Sequence, residues 1–487
     1  MTGELKPGIR WFDDETRARI IDEAKKILNE VGVFVENREA LELLDGAGAK
    51  VDRDSSRVFI PPELVEKCLN SAPSSVEVYD RKGEIAMELK GDKVHFNPGS
   101  AALRIFDYER REERVPVTGD LVRFSRLTDA LPSYSAQSTG LISSDVPEEI
   151  ADSYRLYVAL QNSVKPVVTG TFRVEGFRVM HDMLSAVAGG AENLKEKPIA
   201  IFDCCPSPPL KWSDLTTQAL IDCARSGIPA ELVSMPLTGA TSPVTLVGAV
   251  TQHTAENLSG IVIHQLAGPG APIIYGGSPA FFDMRKGTTP MGAIETMMID
   301  GAYAEIGKTL GLPTHAYMSL SDSKLVDFQA GMESAMGAII AVLSGVNNVS
   351  GPGMLDFESC QSLEKLVLDN EICAMALRLA RGINASEIPF AIELIASALE
   401  KKEFLSLPHT MKHYRTEGYY PDGVIDRGTY GEWEKGERLD AAGRANRRVE
   451  EILSKHRPEP LEADVVSFLR ERMEAEAKKY GMDSLPD

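Results

Sequence analysis

The sequence predicts a (β/α)8 TIM barrel, and three observations support this fold class. Short apolar segments that suit β-strands recur eight times within about 280 residues, and segments with helical periodicity separate them. Five of the strands begin at or just after a proline. Four of the helices end in glycine, so a helix stop and a new strand follow one another repeatedly. A doubly wound open sheet is the alternative, because one sequence does not give the strand order.

The segment before the barrel, residues 1–92, is expected to be a helical and hairpin appendage. Helices are predicted at 13–32 and 37–48, the second with Asn37 as its cap, and a third begins with proline near residue 61. The alternation from residue 76 to 89 predicts a β-hairpin. We identify no residue in this segment that is suited to catalysis.

The barrel itself is expected over residues 93–382 and a helical extension over 383–487. The barrel strands are predicted at 94–96, 134–138, 166–171, 198–203, 229–234, 272–276, 314–319 and 347–350. In the extension, helices are expected at 386–405 and in two charged segments near the end of the chain. We expect the extension to pack on the barrel or to cover one rim.

The composition excludes several classes of function. The formal net charge of −20 argues against a nucleic-acid partner, which needs clustered Lys and Arg. The six cysteines show no CxxC spacing, which predicts a reduced, cytoplasmic protein without a structural zinc site. No signal region is visible, and no apolar run reaches the roughly 18 residues that span a bilayer, so no membrane association is expected.

The carboxyl ends of the strands are where a barrel of this kind places its chemistry. The polar residues expected there are mostly neutral, and no pair of histidines has metal-ligand spacing, so we predict no catalytic metal. Aromatic residues also fall at these ends, and beside acidic groups they could form a cage for a quaternary ammonium ion. Core packing is the competing interpretation for each aromatic taken alone. The polar and aromatic residues that we expect to bind the substrate at these strand ends are Asn97, Gln137, Asp203, Glu231, Tyr275, Phe281, Tyr317, Ser350 and Phe357.

The loop after the seventh strand contains Asp322, Ser323 and Lys324. Asp322 either caps the following helix or takes part in acid–base chemistry. Lys324 is the only well-placed candidate for a Schiff-base lysine, although such a lysine usually lies on a barrel strand in an apolar site. We therefore expect Lys324 to pair with Asp322.

Long stretches of the chain resemble the trimethylamine methyltransferase superfamily. They are SMPLTGATSPVTLVGAVTQHTAENLSGIVIHQLAGPGAPIIYGG, SLSDSKLVDFQAGMES, GPGMLDFESCQSLEKLVLDNEI and FLSLPHTMKHYR. The front of the chain fits the same pattern. Because the sequence contains only standard residues, it resembles the branch without pyrrolysine, typified by glycine betaine methyltransferases.

The resemblance implies transfer of a methyl group from a methylated amine to the Co(I) of a corrinoid, in the one-carbon metabolism of methanogenesis or acetogenesis. A separate small protein would carry the corrinoid and dock at the barrel mouth. A quaternary amine such as glycine betaine, proline betaine or carnitine is the expected substrate, and a homo-oligomer is expected. Residues expected to face the corrinoid protein are Gly276, Gly277, Asp322, Ser323, Lys324 and Gly351.

Under this hypothesis no residue acts as a catalytic acid or base, because orientation and exclusion of water suffice. Tyr275, Phe281 and Tyr317, with Phe357 nearby, would contact the ammonium ion, and Asp203 or Glu231 would balance its charge. The neutral donors would hold a carboxylate, and these are Asn97, Gln137 and Ser350. Three alternatives remain: a Schiff-base lyase or aldolase that uses Lys324, a non-catalytic betaine-binding protein, and a methyl donor that is not an amine.

Overall fold

The appendage that precedes the barrel combines three helices with five short strands. A computed structural model describes residues 7–384 and 391–486. Asp13 caps the first helix by accepting a hydrogen bond from the Thr16 N–H, and Asn37 caps the second as expected. The elements are α1 (Asp14–Lys26), a π-helical turn (Ile27–Val31), β1 (Val33–Val35), α2 (Arg38–Gly46), β2 (Lys50–Asp52), β3 (Arg57–Phe59), α3 (Pro62–Ser71), β4 (Val76–Tyr79) and β5 (Ile85–Leu89).

Eight parallel strands follow: the second to the eighth are hydrogen-bonded to one another in chain order, and the eighth also pairs with the first. A parallel bridge between Phe96 and Tyr134 joins the first strand to the segment before the second, which brings the sheet round into a barrel. The strands, including the short ones in the connecting loops, are β6 (His95–Asn97), β7 (Arg104–Asp107), β8 (Glu112–Arg114), β9 (Gln137–Ser138), β10 (Val167–Thr169), β11 (Ala200–Cys204), β12 (Lys211–Trp212), β13 (Ala230–Leu232), β14 (Leu237–Thr238), β15 (Ile273–Gly277), β16 (Ala280–Phe281), β17 (Thr314–Tyr317), β18 (Asn348–Ser350), β19 (Met354–Leu355) and β20 (Cys360–Gln361). The barrel strands are β6, β9, β10, β11, β13, β15, β17 and β18.

Helices cover the outside of the barrel between consecutive strands. They are α4 (Thr118–Ala130), α5 (Ala151–Asn162), α6 (Val174–Ala188), α7 (Ala191–Glu196), α8 (Asp214–Ser226), α9 (Leu246–Ala267), α10 (Ile294–Thr309), α11 (Phe328–Ser344) and α12 (Leu363–Ala380), with a 3-10 turn at Glu148–Ile150. Glycines in the left-handed conformation end α6, α8 and α11, as the glycine stops in the sequence predict. The predicted (β/α)8 barrel is confirmed, and each of its eight strands overlaps an expected one.

The hairpin formed by β4 and β5 closes the amino-terminal end of the barrel. Its side chains Val76, Val78, Met87 and Leu89 are buried against four residues of the barrel, Ala136, Val168, Ile201 and Ile274. This plug leaves the carboxyl ends of the strands as the open mouth. It also identifies which residues of each strand point inward, because side chains alternate between the two faces of a strand.

The C-terminal extension packs on the helical layer of the barrel. Helix α16 contacts α4 and α12, and α17 contacts α5 and α6. The extension consists of α13 (Ile392–Lys401), α14 (Pro408–Glu417), α15 (Tyr430–Lys435), α16 (Ala441–Lys455) and α17 (Ala463–Lys478). Residues 386–390 of the helix expected at 386–405 lie outside the described residues. The boundaries at residues 92 and 382 stay predictions. Within residues 7–384 and 391–486, every helix is too short or too polar to cross a bilayer.

Candidate active site

Two carboxyl groups lie side by side in the barrel interior, on neighbouring strands. Asp203 of β11 and Glu231 of β13 are paired in register, so their carboxyl groups are neighbours and act on each other electrostatically. Burial raises the pKa of Asp203 to about 7. Burial and the adjacent charge of Asp203 raise the pKa of Glu231 well above its usual value. The pair therefore holds a proton at neutral pH, because two adjacent buried carboxyls do not both ionise readily.

Five side chains form a ring beside this pair, in which four contacts are hydrogen bonds and the fifth is a close approach of His315 to Glu231. Glu231 accepts from Asn348 at 2.8 Å, and Asn348 accepts from Asn97 at 2.7 Å. Ser350 donates to Asn97 at 2.9 Å, and His315 lies 3.2 Å from the hydroxyl of Ser350 and 3.2 Å from Glu231. All five residues are buried. The ring holds the Glu231 carboxyl in a fixed position, since each member is restrained by two others.

The ring also determines the state of His315. Because the Ser350 hydroxyl donates to Asn97, it can only accept from the Nε2 atom of His315, which assigns the proton to Nε2. Burial lowers the pKa of His315 to about 3, so the imidazole is neutral. Its Nδ1 atom has no hydrogen-bond partner. No histidine was expected at this site from the sequence, yet His315 faces the interior beside Glu231.

The neutral donors expected to hold a carboxylate do not fit that role. The side chains of Asn97 and Ser350 are engaged in the ring. Gln137 points away from the interior, where its amide donates to the backbone oxygen of Ser125 in α4 at 2.9 Å. Gln137 pairs with Val167, on the opposite face of the strand from the inward-facing Val168. The expectation for Gln137 is therefore wrong, because the alternation of the strand directs it into the helical layer.

Tyr275 is also directed outward, which corrects its expected contact with substrate. Its neighbours Ile274 and Gly276 face the interior, so the ring of Tyr275 lies between β15 and α9. There its hydroxyl donates to Thr254 at 3.0 Å, and the side chain is fully buried. Tyr275 is thus part of the packing between strand and helix.

Tyr317 does face the barrel interior, close to the acid pair. Its hydroxyl donates to Asp203 at 3.3 Å, and its ring meets His315 edge to face with centroids 4.9 Å apart. Asp203 is only partly buried as a residue, although its Oδ1 atom is enclosed and has no hydrogen-bond partner. Tyr317 and Asp203 together therefore offer an aromatic ring and an unpaired carboxylate oxygen at the mouth.

A third acidic group, Glu358, reaches the same region from the loop between β19 and β20. Asp356, Phe357 and Glu358 all have positive φ, which is uncommon for consecutive residues other than glycine. Burial, followed by the charges of Asp203 and Asp322, raises the pKa of Glu358 to about 8. Its Oε1 atom has no hydrogen-bond partner. Glu358 was not identified from the sequence, and it adds a second unpaired carboxyl oxygen near Asp203.

The loop after β17 serves mainly to order its surroundings. The carboxylate of Asp322 accepts from the N–H groups of Met291 and Gly292, at 2.8 and 3.0 Å, whereas Asp327 caps α11. The expectation that Asp322 caps α11 is therefore wrong. Burial raises the pKa of Asp322 to about 6.

The ammonium group of Lys324 does not pair with the Asp322 carboxylate as expected. It donates to the backbone oxygen of Asp322 at 2.6 Å, lies 3.3 Å from Asp356 and sits over the ring of Phe357 at 3.8 Å. The side chain is 56% exposed. An exposed lysine that is held by three groups lacks the apolar site that activates a Schiff-base lysine. The ring of Phe357 is occupied by this cation on one face, and Phe281 lies partly exposed in β16.

Most residues expected to face a partner protein are buried. Asp322 and Ser323 are 6% and 3% exposed, and Lys324 alone of this loop segment is at the surface. A Cβ atom on Gly276 would lie 2.8 Å from His315, and one on Gly277 would lie 2.3 Å from His253. A Cβ atom on Gly351 would lie 2.2 Å from a backbone oxygen. These glycines permit close packing of the strands against their neighbours, and their expected contact with a partner stays a prediction.

The arrangement is suited to binding a cation and to holding a proton. Three carboxyl groups with raised pKa values surround Tyr317, and a buried positive charge would stabilise their ionised forms. Among the residues that the structure describes, no group of three or more His, Cys, Asp or Glu side chains is arranged to hold a metal ion.

Comparison with known proteins places the chain in a family along its full length. A family model described as trimethylamine methyltransferase (MTTB) matches residues 4–481. A trimethylamine methyltransferase of Desulfitobacterium hafniense is 31% identical over 98% of this chain and 95% of its own length. A glycine betaine methyltransferase from another strain of that organism is 30% identical over 98% of this chain and 99% of its own length. A trimethylamine methyltransferase of Methanosarcina barkeri is 33% identical over 91% and 90%, respectively.

A solved structure shares the fold at much lower identity. The crystal structure of the Methanosarcina barkeri monomethylamine methyltransferase matches with a TM-score of 0.50 and 12% identity, over 92% of this chain and 96% of that one. This likeness supports the barrel architecture, whereas the full-length relatives show which family the chain belongs to. The chain belongs to the trimethylamine methyltransferase family.

Proposed function

We propose that this protein transfers a methyl group from a quaternary amine, glycine betaine or a related betaine, to the Co(I) of a corrinoid carried by a partner protein. The observation that carries the proposal is the group of unpaired carboxyl oxygens on Asp203 and Glu358 around Tyr317. Carboxylates and an aromatic ring are the groups that recognise a quaternary ammonium ion, which cannot donate a hydrogen bond. The family supports a methylated amine as substrate, and the relative named glycine betaine methyltransferase supports a quaternary one.

The residues of the chain would orient the substrate and hold one proton that can pass to the product. The corrinoid of the partner protein would supply a two-electron nucleophile for the methyl carbon, and the C–N bond would break as the new bond forms. The electron pair of that bond stays on nitrogen, so the product is a tertiary amine with a new lone pair. The proton shared by Asp203 and Glu231 can move to this nitrogen. Since the ring through Asn348 and His315 holds Glu231 in place, the proton is presented from a fixed direction.

The rim of the barrel mouth supports docking of another protein. Large apolar side chains are exposed in the loops that follow the barrel strands, and exposed apolar patches of this kind mark interaction sites. We assign this rim to the corrinoid protein, because the methyl acceptor must reach the mouth. The rim residues are Leu103, Val115, Phe172, Met235, Val244 and Met284. A Met284→Glu variant should raise the KM for the corrinoid protein and leave the Kd for the amine unchanged.

Self-association through α11 and α12 is part of the proposal. The outward side of α11 carries Met332, Met336 and Ile339, and α12 adds Met375 and Leu379. Taking roughly 200 Å² for a fully exposed large side chain, these five expose on the order of 400 Å², close to the apolar share of one side of a standard interface. No charged side chain is exposed on α11, which favours a second copy of this chain as the occupant.

A direct assay tests the reaction. The purified chain is mixed with a reduced corrinoid carrier protein and a panel of quaternary amines, including glycine betaine, proline betaine and carnitine. The corrinoid absorbance should change with one amine, and mass spectrometry should detect the matching tertiary amine in equal amount. If no quaternary amine of the panel loses a methyl group, the proposal is wrong. A reducing, cytoplasmic location completes the proposal, and six free cysteines are compatible with it.

A further inference from the structure

A buried arginine lies beside the proposed ammonium site. Arg155 of α5 is 1% exposed, and its Nη1 atom donates to the backbone oxygen of Thr139 at 2.8 Å, just beyond the end of β9. Its Nε atom has no hydrogen-bond partner. The ring of Phe172, on the loop after β10, covers the guanidinium at 4.4 Å and is itself 40% exposed at the mouth. Arg155 therefore extends from the helical layer to the barrel mouth.

No carboxylate among the described residues forms an ion pair with Arg155, although two lie in its surroundings. Asp152 accepts from the side chain of Thr171 and from the N–H of Phe172, so its Oδ2 atom orders that loop. Asp203 accepts from Tyr317. Both carboxylates act on the guanidinium through space, and burial lowers the pKa of Arg155 to about 10, which leaves it charged at neutral pH. Arg155 is thus a buried cation to which no described carboxylate is hydrogen-bonded and whose Nε donor is unused, so the position points to an anionic ligand group.

We propose that Arg155 binds the carboxylate of the substrate, so that the ligand of this site is a zwitterion. This inference rests on the proposed function. The ammonium end lies against Asp203 and Tyr317, and the carboxylate end meets the planar guanidinium, whose N–H groups match a carboxylate in geometry. The two ends then neutralise two buried charges at once. A ligand with the ammonium group alone leaves Arg155 unpaired and adds a second cation beside it.

The inference assigns the carboxylate to a residue that differs from the neutral donors considered above. Asn97 and Ser350 are engaged with each other in the ring, and Gln137 faces α4. Arg155 has the opposite sign of charge to a carboxylate and an unpaired donor. Selection between a betaine and a simple methylated amine therefore depends on one side chain at the edge of the ammonium site.

The test compares glycine betaine with its amide, which has the same shape and ammonium group but no negative charge. Calorimetry should show that the wild-type protein binds glycine betaine roughly 100-fold more tightly than the amide. Arg155→Met should bring the two Kd values within a few-fold of each other by weakening the zwitterion only. Arg155→Lys should keep part of the difference. Arg173→Met removes a neighbouring arginine that contacts Glu476 and Tyr480, and it should keep the wild-type ratio.

The outcomes separate this inference from the proposed function. If the wild-type protein demethylates both ligands and binds them equally, Arg155 does not bind the carboxylate of the ligand. The proposed methyl transfer would still be supported. If neither ligand is bound or demethylated, the proposed function fails first. A purely structural role for Arg155 would weaken binding of both ligands by the same factor, which also overturns the inference. Should Arg155→Met not fold, the wild-type ratio alone decides.

Discussion

The affinity of the site for a quaternary ammonium ion should rise with pH in a way that identifies its carboxyl groups. The ammonium ion carries no titratable proton, so the pH dependence of Kd reports on the protein. The pKa of Asp203 is raised to about 7 because the carboxyl is buried. If the cation binds only when this carboxyl is ionised, the apparent Kd is the limiting Kd multiplied by one plus the ratio of protonated to ionised Asp203.

This relation gives a definite magnitude. With a pKa of about 7, the multiplying factor is about 11 at pH 6 and about 1.1 at pH 8, so Kd should fall about tenfold, or about 1.4 kcal/mol. Glu358, whose pKa is raised to about 8, should add a second decrease of similar size between about pH 7 and pH 9. The sign follows from charge, because deprotonation creates the anion that attracts the ligand.

Variants divide the profile between the two groups. Isothermal titration calorimetry with glycine betaine from pH 6 to pH 9 measures it, in buffers of equal ionic strength. Asp203→Asn should weaken binding and remove the lower step, whereas Glu358→Gln should remove the upper one. Tyr317→Phe removes the hydrogen bond that favours ionised Asp203, so the lower midpoint should move to higher pH. A Kd that stays constant from pH 6 to pH 8 in the wild-type protein would refute the reasoning.

Four further outcomes follow from the structure. Lys324→Met should leave methyl transfer within about twofold, and borohydride with a carbonyl compound should label neither protein; trapping at Lys324 would restore the Schiff-base alternative. Asn348→Leu leaves two buried polar groups of the ring without partners and should lower the free energy of unfolding by about 3 kcal/mol in urea titrations, and a loss under about 1 kcal/mol would contradict this. Met336→Glu should lower the mass measured by light scattering to that of the 53.1 kDa monomer. The same change to glutamate at an exposed position away from α11 and α12 should leave the measured mass unchanged. Without ligand, the free energy of unfolding should fall as pH rises from about 4 to about 8, since Asp203 and Glu358 bind protons more tightly when folded, and a rise over this interval would contradict the pKa shifts.

The barrel could be predicted from the sequence because the residues that begin its strands and end its helices act locally. A proline at a strand start and a glycine at a helix end act through their own φ angles, so five strand starts and four helix ends were marked in the sequence without knowledge of contacts. The hairpin that plugs the barrel was predicted as a hairpin from its alternation. Its position under the barrel was not predicted, because burial of Val78 and Met87 against Ile201 depends on residues more than a hundred positions away.

The candidate site was predicted only in part, and the errors have a physical cause. Side chains alternate between the two faces of a β-strand, so only every second polar or aromatic residue at a strand end faces the barrel interior. Tyr275 and Gly276 are adjacent, yet only one of them can face the interior. The same rule applied to β17 places His315 and Tyr317 on one face, a signal that the sequence contained. The positive φ of Glu358 and the reach of Arg155 from α5 depend on tertiary packing, which strand-end reasoning does not address.

Charge at the acid cluster is insufficient to select the substrate. Trimethylamine is protonated in neutral water, so it brings a positive charge to Asp203 just as a betaine does. The acids and Tyr317 therefore favour both ligands over neutral molecules and discriminate weakly between them. A betaine differs in its carboxylate, and the nearest unpaired cation is Arg155, buried beneath Phe172. Under the proposed function, discrimination therefore depends on the edge of the site, while the acid pair supplies negative charge that attracts either amine.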